Sequence, residues 1–96
     1  MATKLMEADV QSRLAKVPGW TIENGQLTRT FKLDTFPAAL VFVNAVGHLA
    51  ESAKHHPDID IRYRSVKLAL TTHDSGGLTE KDFALAARIN EIAGQG

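Results

Sequence analysis

Ile59-Asp60-Ile61-Arg62-Tyr63 and, two residues later, Val66-Lys67-Leu68-Ala69-Leu70-Thr71 decide the fold. In each run apolar side chains alternate with polar or small ones, the period of a strand with one buried face. A two-residue turn at Arg64-Ser65 would pair Tyr63 with Val66, Ile61 with Leu68 and Ile59 with Leu70. Every apolar side chain then falls on one face, which is what holds a register in place. Extended further, this register sets His56 opposite His73. Pro57 tends to end a ladder, so nearness rather than pairing is expected.

An antiparallel hairpin with one apolar face needs a covering layer. Upstream, Asp34 is a candidate N-cap and Pro37 falls in the first turn of a helix running to about Lys54. Phe36, Leu40, Val43, Gly47 and Ala50 form one stripe, and Phe42, Val46, Leu49 and Ala53 a second. Covering a sheet takes one stripe, so two imply a second burial partner, read as a homo-oligomer (dimer or tetramer) through helix 36–53. Before it, Trp20 to Glu23 and Gln26 to Leu33 flank Asn24-Gly25, a strong two-residue hairpin signal. Leu27, Phe31 and Leu33 face one side of that hairpin. Met6, Val10, Leu14 and Val17 predict a first helix, which Pro18-Gly19 stops.

Downstream, Asp74-Ser75-Gly76-Gly77 is a loop. Thr79 is the expected N-cap of a last helix, with Asp82 at N3 completing a capping box and Leu78 with Phe83 a hydrophobic staple. Phe83, Ala86, Ala87, Asn90 and Ala93 share one side of it. The expected fold is an α+β two-layer sandwich, a four-stranded antiparallel sheet with three helices on one face, in the order α-β-β-α-β-β-α.

A chain of 96 residues is expected to form a single domain, 1–96. Lys+Arg and Asp+Glu are 11 each, which gives no basic field for nucleic acid. Cysteine is absent, which excludes thiolate metal ligands and fits a reducing, cytoplasmic location. No apolar run is expected to approach a membrane span, and no signal-peptide pattern opens the chain.

The titratable groups gather around the central hairpin. His55-His56-Pro57 precedes it, Glu51 lies one helical turn upstream, His73 follows it, and Asp82 opens the last helix. Histidine gives or takes a proton near neutral pH, and nearby carboxylates orient it. His48, outside this group, reads as a surface residue. A zinc site of His55, His56, His73 and a carboxylate is the chemical rival. Adjacent histidines in an extended segment point to opposite faces, which disfavours shared ligation.

Glu51-x-x-x-His55-His56-Pro57, then Tyr63, His73 and Asp82, resembles the signature of the pterin-4a-carbinolamine dehydratase family. Pro18-Gly19-Trp20, Thr71-Thr72-His73 and Gly77-Leu78-Thr79-Glu80 also match, so the resemblance covers nearly the whole chain. It implies dehydration of 4a-hydroxytetrahydrobiopterin to quinonoid dihydrobiopterin, in tetrahydrobiopterin recycling, without metal or other cofactor. It further implies that His55, His56 and His73 are catalytic and line the pterin site. His55 is the leading general acid–base group, and His56 and His73 serve binding and the second proton transfer. Glu51 and Asp82 would orient imidazoles or the pterin, while Pro57, Thr72 and Asp74 complete the substrate-binding set. Trp20 reads as core rather than as a stacking platform. Some animal relatives also act as dimerisation cofactors for a homeodomain transcription factor through the long helix, so a non-catalytic binding module is the alternative reading.

Overall fold

The computed structural model describes residues 2–94. The elements are α1 (Glu7–Leu14), β1 (Thr21–Glu23), β2 (Gln26–Lys32), α2 (Phe36–Ala53), β3 (Asp58–Arg62), β4 (Ser65–Leu70) and α3 (Glu80–Ile92), with a 3-10 turn at His73–Ser75. The four strands form one antiparallel sheet in the order β1-β2-β4-β3. The α-β-β-α-β-β-α order and the α+β class are as expected.

Register explains why one face is dry. Leu27 pairs with Leu70 and Phe31 with Val66 across β2 and β4, and these side chains with Leu68 are buried. The other face carries Thr30, Lys32, Lys67 and Asp60. At the β1–β2 turn, Asn24 (φ 51) and Gly25 (φ 75) both take the left-handed conformation that a two-residue Asn-Gly turn needs.

The β3–β4 register is two residues away from expectation. Arg62 pairs with Ser65, Ile61 with Val66 and Ile59 with Leu68, so the turn is Tyr63-Arg64. A slip of two keeps every side chain on its face, and alternation alone does not tell the two registers apart. Long-range contacts select this one. Leu33 N donates to Arg64 O at 2.9 Å, and Arg64 Nη1 donates to the carbonyls of Leu33 and Asp34 at 3.3 and 3.2 Å. Tyr63 takes φ 55 to make the turn and stacks on Phe36, centroids 6.4 Å apart.

Helix α2 is capped by Thr35 rather than Asp34. Thr35 Oγ1 accepts from Ala38 N at 3.1 Å, which puts Pro37 in the first turn. Its two apolar stripes do not divide as expected. Ala39, Phe42, Val46 and Ala50 are buried, Val43 and Leu49 pack at their edge, and Phe36, Leu40 and Val41 are left exposed. By length and composition alone α2 is long and apolar enough to cross a membrane, which corrects the expectation that no run approaches a span. Its buried stripe lies in the core with Leu68 and Phe83.

Helix α1 is shorter than expected. Met6 supplies no side-chain cap, and after Leu14 the chain continues as turns, with Val17 N donating to Leu14 O at 3.1 Å. In α3 the capping box forms as expected, and Leu78 and Phe83 are both buried. The buried side of α3 runs through Phe83, Leu85, Ala86, Ile89 and Asn90, and Ala87 is exposed.

Pro18-Gly19-Trp20 ties α3 to the sheet. Trp20 is buried and its Nε1 donates to Asn90 Oδ1 at 2.8 Å. Arg29 Nη1 donates to the same oxygen at 2.9 Å and to Pro18 O at 2.8 Å, and Asn90 Nδ2 donates to Pro18 O at 3.1 Å. The Arg29 guanidinium also lies 4.3 Å from the Phe31 ring centre. Trp20 is therefore a core residue, with its polar edge satisfied away from the histidines.

Candidate active site

Helix α2 ends where the site begins. Lys54 takes φ 54 and ψ 40, the left-handed conformation that terminates helices, and its N–H returns to the carbonyls of Ala50 and Glu51. His55 N donates to Ala50 O at 3.0 Å. The chain thus leaves the helix sharply, and His55 and His56 occupy the two positions before Pro57 and β3.

The two imidazoles diverge. His55 turns inward, its side chain 11% exposed, with Nε2 2.5 Å from Oδ1 of the fully buried Asp82. His56 turns outward, with Nε2 2.9 Å from Oε1 of the exposed Glu51. Both still border one cleft of about 280 Å³, joined there by His73 and Asp74 from the 3-10 turn and by Thr71 and Thr72, which link β4 to that turn. That is just under the range of about 300–1,000 Å³ usual for small-molecule sites. His55 and His73, expected to meet, share this cleft. The register sum of β3 and β4 sets His56 beside Thr71 rather than opposite His73, and the 3-10 turn brings His73 back to the same opening.

Asp82 is held from three sides. Besides His55, its Oδ2 accepts from Thr79 N at 2.9 Å and from Thr72 Oγ1 at 2.8 Å. Thr72 Oγ1 is also 2.8 Å from Thr79 Oγ1, which accepts from Lys81 N at 3.2 Å. One carboxylate therefore closes the capping box of α3 and anchors the imidazole of His55.

The loop carrying His73 is pinned too. Thr72 and Gly77 exchange backbone hydrogen bonds of 3.2 and 3.3 Å. The N-terminal segment crosses over it: Leu5 N donates to Leu78 O at 2.8 Å, Ser75 Oγ donates to Ala2 O at 2.6 Å, and the Lys4 side chain lies across Gly77.

Of the expected residues, His55, His56, Thr72, His73 and Asp74 border the cleft. Asp82 stands behind His55, Glu51 stands outside His56, and Pro57 lies next to the cleft without lining it. Sequence reasoning missed Lys54, Thr71 and Lys81, which complete the lining. Among the described residues no three His, Asp or Glu side chains converge as metal ligands would. A wider groove of about 560 Å³ lies between α1 and α3. It contains no histidine, and its carboxylate, Glu80, is paired with Arg13.

The family model described as pterin 4 alpha carbinolamine dehydratase matches residues 3–92. A Chloroflexus aurantiacus protein, provisionally named pterin-4-alpha-carbinolamine dehydratase, is 63% identical over 91 residues, 95% of this chain and 98% of that protein. A Roseiflexus sp. protein with the same provisional name is 55% identical over 92 residues, 96% of this chain and 99% of that protein. Among solved structures, one described as a transcriptional coactivator/pterin dehydratase from Brucella melitensis superposes with a TM-score of 0.90 at 33% identity, covering 95% of this chain and 99% of that one. A pterin dehydratase-like protein described as a RuBisCO assembly factor in the alpha-carboxysome superposes at 0.66 with 24% identity, over 80% of this chain and 89% of that one, a likeness of fold alone.

Proposed function

Because the chain belongs to the pterin 4 alpha carbinolamine dehydratase family, we propose that it dehydrates 4a-hydroxytetrahydrobiopterin to quinonoid dihydrobiopterin and water, in tetrahydrobiopterin recycling. The observation that carries the reading is the meeting of His55, His56 and His73, from either side of one hairpin, at a single cleft. Loss of water from a carbinolamine requires a proton for the departing hydroxyl and removal of a ring N–H proton. Two imidazoles facing one bound ring meet both needs near neutral pH, without metal or redox chemistry. His55 is the leading acid–base group because the buried Asp82 carboxylate fixes its ring. His56, steadied by Glu51, and His73, with no side-chain partner among the described residues, supply binding and the second proton transfer.

The test is turnover of a 4a-hydroxytetrahydropterin by purified protein, before and after a chelator. Chelator-resistant turnover that falls about 10²-fold or more in His55→Ala and His73→Ala, each with native circular dichroism, supports the reading. Wild-type rates in both variants would remove it, and loss of activity on chelation would favour the metal rival.

The exposed Phe36, Leu40 and Val41 of α2 support a homo-oligomer through helix 36–53. The same face would suit a protein partner if the chain served as a binding module.

A further inference from the structure

The hydroxyls behind His55 have a direction, and that direction reaches the cleft. Thr79 N can only donate, so Asp82 Oδ2, 2.9 Å away, is an acceptor. Thr72 Oγ1, 2.8 Å from that same oxygen, must then point its hydrogen at Asp82. With its hydrogen spent there, Thr72 Oγ1 receives the Thr79 hydroxyl hydrogen across their 2.8 Å contact. Thr79 Oγ1 is free to donate because its acceptor side is used by Lys81 N. The chain runs one way, Thr79 to Thr72 to Asp82. Oδ1 is left facing His55 Nε2, 2.5 Å away, and a carboxylate oxygen there accepts from the imidazole N–H.

We propose that Thr72 and Thr79 are positioning residues that hold neutral His55 as its Nε2–H tautomer. Nδ1, which has no protein partner among the described residues, is then the nitrogen that works on substrate. This second half rests on the dehydratase reading. Nδ1 takes the proton from the ring nitrogen of the carbinolamine. The N–H electron pair becomes the second bond of C=N, and the C4a–O bond breaks. The leaving hydroxide takes a proton from a second cleft histidine and departs as water. His55 ends protonated and the second histidine deprotonated, and exchange with solvent restores both.

The test is the long-range ¹⁵N–¹H spectrum of histidine-labelled protein at a pH where His55 is neutral, with turnover measured alongside. The expected wild-type spectrum has a bare Nδ1 and a protonated Nε2. Thr72→Val, with its fold checked by thermal unfolding, should mix the tautomers and lower kcat about tenfold with KM changed less than threefold, while Thr72→Ser restores both. A wild-type spectrum with the proton on Nδ1 overturns the proposal without any variant. So does a Thr72→Val protein that folds and keeps both tautomer and rate. The spectrum needs no substrate: an Nε2–H signal without turnover of the pterin would overturn the dehydratase reading and the role of Nδ1, and leave the tautomer assignment standing.

Discussion

Gly19 shows how much a single residue can hold. It sits at φ 88, and a Cβ there would lie 2.4 Å from Arg29 Cζ. That guanidinium is pinned by Pro18 O and Asn90 and packed on Phe31, so it has nowhere easy to go. Gly19→Ala is expected to cost about 1–3 kcal/mol, read as a lower urea midpoint at unchanged m-value. Legibility at this scale follows sequence distance. That Trp20 is core was readable from its type, but its partner Asn90 stands 70 positions away and carried no signal. Glu51, His55, His56, His73 and Asp82 stood out because histidine titrates near neutral pH and their spacing matches a family signature. Lys54, Thr71 and Lys81 did not, because lysine and threonine are equally at home on a solvated surface.

At the scale of elements, the segment before α1 behaves as a strap across the His73 loop. Its grip consists of the Leu5–Leu78 and Ser75–Ala2 hydrogen bonds and the Lys4 side chain over Gly77. A net hydrogen bond is worth about 1 kcal/mol, so Ser75→Ala should speed amide exchange over residues 73–77 about fivefold. Deleting residues 2–4 should speed it further and lower kcat. Exchange unchanged by the deletion would show that the loop holds itself. Element boundaries were legible where the signal was local. The Asn24-Gly25 turn and the Thr79–Asp82 capping box follow from residues within four positions of each other. The Tyr63-Arg64 turn does not, since neither residue is a turn former and the alternating pattern repeats every two positions. Asp34 and Thr35 are adjacent residues of similar capping ability, and nothing local in the sequence chooses between them.

The molecule as a whole leaves an apolar band on one flank. Phe36, Leu40 and Val41 of α2 are exposed, and Ile59, Ile61 and Tyr63 on and beside the edge strand β3 continue the band through the Phe36–Tyr63 stack. Burying such a band against a second copy would remove it from water. Leu40→Glu, at a residue outside both the core cluster and the cleft lining, is expected to lower the sedimenting mass to that of one chain. A wild-type protein that already sediments as one chain would end the oligomer proposal. Phe42 is unsuited to this experiment because it belongs to the core. The layer architecture was legible at this scale because two periodicities, helical and alternating, divide the chain cleanly. Which side of α2 faces inward was not, because both stripes are apolar enough to be buried.

Asp82 answers to two masters, the first turn of α3 and the ring of His55. Fraying at that helix end and disarray at the imidazole are therefore one event. An occupant of the cleft that braces His55 should slow exchange of the amides at Thr79 and Asp82, so these two protons can serve as a gauge of occupancy. Attempts to make the protein more heat-tolerant by redesigning the start of α3 would, by the same linkage, retune its chemistry.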